Sequence, residues 1–179
     1  RHYGFDRWPE DAARVDRGGR VVHVLPAPGH HRNHVVFFDE ATGLLFSGDF
    51  LLPGRLTVED TAAYRASARR IADFVRPRPL AHVLGGHVEL DAGGRLYPMG
   101  ATFHPDEHRL ELAKADVLAL PEALDEFNGF YSRHAGFVIT HPVRNLVALG
   151  VLALLGLAAL AWGCVRLVRW RRSRKAAAR

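Results

Sequence analysis

The chain has 179 residues, 48% of them hydrophobic and 24% charged, which excludes a disordered chain and fits one domain of ordinary size with an appendage. A single cysteine, Cys164, excludes a disulfide framework and a cysteine-rich zinc module. The 24 Lys and Arg exceed the 19 Asp and Glu to give a net charge of +5, which raises the question of a nucleic-acid or anionic-membrane partner, while eleven histidines point to metal or acid–base chemistry.

Residues 1–145 read as a mixed α/β domain. Arg20 to Leu25 is short and valine-rich, a strand broken by Pro26-Ala27-Pro28-Gly29. Val35–Phe38 and Leu44–Ser47 are two apolar runs joined by Asp39-Glu40-Ala41-Thr42-Gly43, a hairpin signal with glycine closing the loop. Glu59–Val75 carries Ala62, Ala66, Ile71, Ala72, Phe74 and Val75 at helical spacing, and Pro77 and Pro79 stop it. Leu80–Leu84 predicts a buried strand ending at Gly85-Gly86. His104-Pro105-Asp106 predicts a helix entrance, with the helix over Glu107–Leu118, and Pro121 is expected to open a further helix to about Phe130.

Leu146 to Val165 is twenty residues without a charge. As a helix it is about 30 Å long, the thickness of a bilayer core. Trp162 and Trp170 lie near its far end, where interfacial aromatics are expected. The tail that follows holds Arg166, Arg169, Arg171, Arg172, Arg174, Lys175 and Arg179 and no acid. Taking those seven from the 24 leaves 17 basic against 19 acidic residues in 1–165, a net of −2. The positive charge therefore belongs to the tail and gives no reason to expect a nucleic-acid partner. The positive-inside bias puts the tail in the cytoplasm and residues before Leu146 outside it, anchored to the membrane by one C-terminal helix.

Three segments share a pattern: Pro28-Gly29-His30, Ser47-Gly48-Asp49 and Gly85-Gly86-His87. In each a strand ends, small residues turn, and a ligand-type side chain follows. A metal site needs nitrogen and oxygen donors converging from different loops, and strand ends hold such donors rigidly. Each segment alone is a common turn; the three in this order carry the signal.

The stretch from Gly18 to Asp49, with its Leu-Phe-Ser-Gly-Asp run, and the continuation to His87 resemble the C-terminal half of the metallo-β-lactamase superfamily over about residues 15–90. The resemblance implies an α/β fold: the C-terminal half of an αββα sandwich, here with one transmembrane helix. It implies that His30 is a metal ligand, that Asp49 bridges two metals with a catalytic part, and that His87 binds the second. It also implies two zinc ions, with other divalent metals such as iron or manganese also compatible, and hydrolysis of an ester, thioester, amide or phosphoester in a small-molecule substrate. The family's H-x-H-x-D-H run does not occur in these residues, and Arg1 rather than Met opens the chain, so a missing N-terminal half is expected. Without that half the fragment is expected to be inactive and to expose sheet surface. The alternative is a membrane-anchored binding module that kept the fold and lost the metal. The expected organisation is 1–135 the metallo-β-lactamase-like portion, 136–145 a juxtamembrane segment, 146–165 the span and 166–179 the basic tail.

Other histidines are read more plainly. His31 and His34 either line the site mouth or face solvent, and His31 stays open as the ligand in place of His30. His104 and His108, spaced i, i+4, lack the glutamate of an H-E-x-x-H motif and read as helix-entrance residues. His134 reads as part of an interfacial segment with Phe130 and Tyr131. His23 and His82 read as strand residues, and Arg69-Arg70 as the solvated side of a helix.

Overall fold

The computed structural model describes residues 5–177. Of the positions used above, Arg1 and Arg179 lie outside the described residues, as do the side chains of Arg171, Arg172, Arg174 and Lys175. The chain divides into two compact units, the first ending at Pro142 and the second beginning at Val143.

Along the first unit run β1 (Ala13–Asp16), β2 (Val21–Pro26), β3 (Val35–Asp39), β4 (Leu44–Gly48), β5 (Arg55–Thr57), α1 (Thr61–Val75), β6 (His82–Gly85), β7 (Glu111–Leu112), α2 (Lys114–Asp125), β8 (Tyr131–Arg133) and β9 (Val138–Thr140). A six-stranded sheet has the order β1-β2-β3-β4-β6-β7, and a three-stranded sheet the order β5-β9-β8. The fold is mixed α/β, as the sequence predicts.

The hairpin forms where its loop signal stands. Asp39 closes the turn: its carboxylate accepts from Thr42 Oγ1 (2.7 Å), Ala41 N–H (3.2 Å) and Arg20 Nη2 (2.6 Å). These bonds, Arg20 first and Thr42 next, lower its pKa from 3.8 to about 2. Along the hairpin Val36, Phe38 and Leu45 turn into the core, while Phe37 and Phe46, cross-strand partners, point the other way and stay exposed. Helix α1 starts at Asp60, whose carboxylate accepts the Ala63 N–H (3.0 Å). Tyr64, Ala68, Ile71 and Val75, at helical spacing, bury one face in the same core as Val36, Phe38, Leu45 and Val83. Arg69 is less free than its sequence suggests, because it forks onto Asp125 of α2 (2.7 and 2.8 Å). Arg70 is likewise engaged, donating to Pro26 O (3.0 Å).

Two expectations are corrected. Residues 107–118 are not one helix. Asp106 O accepts from Ala92 N (2.7 Å), His108 N donates to Leu90 O (2.8 Å), and Asp91 pairs with Glu107, so this stretch is extended against residues 90–92. The helix begins later, at Lys114, where Asp116 accepts the Ala113 N–H (2.7 Å) in half of a capping box. Pro121 does not open a helix; it lies within α2, which buries Val117, Leu120, Ala123 and Leu124. Residues 137–139 are also core, since Phe137, Val138 and Ile139 are buried and β9 pairs in parallel with β5. The first unit runs to Pro142.

The second unit, from Val143, is formed by α3 (Pro142–Ala177), a helix of 36 residues that starts one residue before it. Its stretch Pro142–Leu167 has a mean hydropathy of 2.3 over its best window and none of that window is buried. It is long and apolar enough to cross a membrane, and it contains the expected twenty-residue run.

Candidate functional site

Strand β2 is antiparallel to β3, β3 to β4, and β4 is parallel to β6. The C-terminal ends of β2, β4 and β6 therefore lie at one edge of the sheet, and each of the three glycine-containing segments leaves from there. Gly86 N–H donates to Gly48 O (3.0 Å), tying two of the tips together, and Ser47 Oγ reaches Leu51 O (2.5 Å) and Leu84 O (3.1 Å).

The His30 loop is clamped to α1. Gly29 has φ +144, and a Cβ there would overlap Tyr64, so only glycine lets the loop lie against the helix. Its carbonyl accepts the N–H groups of Glu59 (2.9 Å) and Asp60 (3.0 Å), and Ser67 Oγ donates to Pro28 O (2.8 Å). His30 Nδ1 faces Thr57 Oγ1 (2.7 Å) and Thr57 O (3.1 Å). A carbonyl only accepts, so a proton on Nδ1 satisfies Thr57 O and leaves the Nε2 lone pair free. That Nε2 stands 3.5 Å from Asp49 Oδ2.

Asp49 meets the third segment with its other oxygen: Oδ1 is 3.4 Å from His87 Nδ1. Gly86 makes room for it, since a Cβ there would lie 2.9 Å from Asp49 Oδ1. His87 Nε2 is 3.5 Å from Glu89 Oε1, and Glu89 is itself held by the Arg55 N–H (2.7 Å) and Nη1 (3.2 Å). The three residues predicted from sequence are thus gathered about one carboxylate.

The donor spacing suits a metal. Two ligands at 2.0–2.2 Å from a tetrahedral zinc are about 3.4 Å apart. The pairs His30–Asp49 and His87–Asp49 each have that separation, one on each carboxylate oxygen. Among the described residues no three His, Cys, Asp or Glu are grouped to hold an ion by themselves.

The neighbouring histidines separate clearly. His31 is exposed and its Nδ1 accepts the Asn33 N–H (3.3 Å), so of the adjacent pair it is His30 that faces Asp49. His34 is half-buried, its ring edge-on to His30 (5.8 Å), and its buried Nδ1 has no hydrogen-bond partner among the described residues. Burial, and then the nearby His30, push its pKa down. His104 stands outside any helix, stacked on Tyr97 with ring centres 4.2 Å apart. His108 is also outside a helix and contacts Arg109 O (2.7 Å). His134 stacks on Phe137 (5.0 Å), His23 meets Glu40 (2.5 Å), and His82 is exposed on β6.

Sequence reasoning did not find Thr57, Arg55 or Glu89. Arg55 and Thr57 alternate on β5 and both reach the site, one through Glu89 and one directly. Glu89, two residues after His87, was a readable signal; Thr57, 27 residues from His30, offered none.

Residues 1–123 match the metallo-beta-lactamase superfamily, and the chain belongs to it. Among curated proteins it is similar to the acyl-coenzyme A thioesterase MBLAC2 of Gallus gallus (28% identical over 93 residues, 50% of this chain and 34% of that protein). It is similar also to the human protein of that name (26% over 98 residues, 52% and 35%). The chain thus spans about a third of these relatives. Among solved structures it is similar to a metallo-beta-lactamase from Pontibacter korlensis, with TM-score 0.42 and 15% identity, covering 66% of this chain and 47% of that one.

Proposed function

We propose that this chain serves a metal-dependent hydrolase that cleaves an ester or thioester of a small-molecule substrate, with His30, Asp49 and His87 as metal ligands. The observation that carries the reading is a single carboxylate, Asp49, placed at ligand-to-ligand spacing from two histidines on two different loops. In this reading His30, Asp49 and His87 would hold the metal, with Asp49 shared between the two histidines. Two bound zinc ions would supply Lewis acidity toward the substrate carbonyl and a nucleophile from water at neutral pH. Thr57 keeps the His30 lone pair aimed at the site, and Arg55 and Glu89 hold the far side of His87. The curated relatives, named as acyl-coenzyme A thioesterases, favour a thioester within this class. Helix α3 supports anchoring to a membrane, and the seven basic residues after Val165 support a cytoplasmic tail.

The test uses the full-length protein encoded around this chain. Metal content and thioester hydrolysis are measured before and after chelation. Activity that disappears with the metal and returns with zinc supports the reading. A full-length protein that carries no metal and hydrolyses nothing supports the binding-module alternative.

A further inference from the structure

The segment after His87 builds a cavity of about 500 Å³ with Gly86 and His87 in its wall, within the usual size of small-molecule sites. One side is an aromatic wall, the stacked rings of Tyr97 and His104, 4° from parallel. Tyr97 is fixed at three points: its N–H donates to Glu89 O (2.9 Å), its carbonyl accepts from Arg55 Nη2 (2.6 Å), and its hydroxyl accepts the Asp106 N–H (3.1 Å). The charged groups of the wall face one another. Arg55 pairs with Glu89 (3.2 Å) and His104 Nδ1 with Glu107 (2.9 Å). Val88, Pro98, Gly100, Ala101 and Leu110 complete the lining. Met99 and Phe103, interleaved in the chain with lining residues, are 79% and 77% exposed and carry apolar surface outward from this segment.

We propose that this cavity receives the acyl arm of the substrate, an uncharged apolar chain whose carbonyl carbon lies beside His87 and Asp49. The inference rests on the hydrolase reading above and says which half of the substrate goes where. An anionic leaving group is a poor occupant, because the one arginine in the lining is already engaged by Glu89. An alkyl chain asks nothing of the paired charges and gains by leaving water. In the reaction the acyl C–S or C–O bond breaks, water gives its hydroxyl to the acyl carbon and its proton to the departing thiol or alcohol, and the acid is left with its chain in the cavity.

The experiment is a series of acyl thioesters from acetyl to dodecanoyl, assayed with the full-length, metal-loaded protein. A second measurement is direct binding of dodecanoate to the protein with and without metal. For wild type, kcat/KM is expected to rise by up to about fourfold per added methylene until the cavity is full. Ala101→Trp, which fills the cavity, is expected to flatten that rise and weaken dodecanoate binding, with metal content measured in parallel. Leu110→Asp is expected to act in the same direction and serves if Ala101→Trp does not fold. A flat series in wild type overturns the proposal, and so does a slope that survives both substitutions. Hydrolysis of no thioester, with dodecanoate still bound and displaced by Ala101→Trp, overturns the hydrolase reading and leaves the acyl cavity standing.

Discussion

The loops after β2 and β6 each deliver a histidine to Asp49, but they are built differently. The His30 loop is clamped to α1 by backbone and hydroxyl bonds, its ring is fixed by Thr57, and its side chain is 26% exposed. The His87 side chain is 51% exposed and sits between two carboxylates, Asp49 and Glu89, with no contact shorter than 3.4 Å to either. One histidine ring is held by a close neighbouring side chain, and the other is bounded only by longer contacts. A site made this way has a fixed side and an adjustable side, and the adjustable one opens onto the cavity.

Substitutions can break this contrast, beginning with the residue both sides share. Asp49→Ala removes a donor from each pair and should lower both metal content and turnover. Losing several kcal/mol of Lewis-acid stabilisation means a fall in kcat/KM on the order of a thousandfold. Elemental analysis and thioester kinetics on the full-length protein check it, and a variant with full zinc and full turnover would refute the assignment. Next, Thr57→Val removes the hydroxyl from His30 Nδ1 and should weaken metal binding about tenfold, read by chelator competition, with Thr57→Ser restoring it. Glu89→Gln, on the adjustable side, should cost less in the same assay. Equal losses for the two would erase the difference between the loops.

Two smaller effects bound the site. Asp39 lies at the opposite end of β3 from the candidate donors, and its folded pKa of about 2 is below its ordinary 3.8. Its contribution to stability is therefore complete above about pH 4 and is lost as pH falls through about 2. Asp39→Asn should lower the melting temperature at pH 7, and the gap to wild type should close toward pH 2, with metal content unaltered. Smallest of all, His31→Ala should leave metal content unchanged, since that ring faces Asn33 and solvent.

Much of this arrangement was legible because it is local. The hairpin announces itself through Asp39 to Gly43, α1 through its apolar period and its proline stop, and the meeting of His30, Asp49 and His87 through glycines that end strands. What escaped reading depends on distance or on very short elements. Strands β5, β8 and β9 have three residues each, too few for alternation to show. The helix expected at Glu107 fails because Asp106 and His108 spend their backbone groups on residues 90–92, a pairing no local pattern encodes. Pro121 misleads because a proline that suits a first turn can also sit inside a helix held by neighbouring buried leucines. Thr57 and Arg55 became visible only when β5 paired with β9 and came under both histidines.

The outermost strands of the larger sheet bear on how the protein behaves at high concentration. β1 is four residues long and sets Arg14 and Asp16, paired at 3.4 Å, along its free margin; β7, at the other margin, has two residues. A strand from another molecule would find too little backbone to pair with at β7 and charged side chains at β1. Both margins are thus poor templates for growth by strand addition.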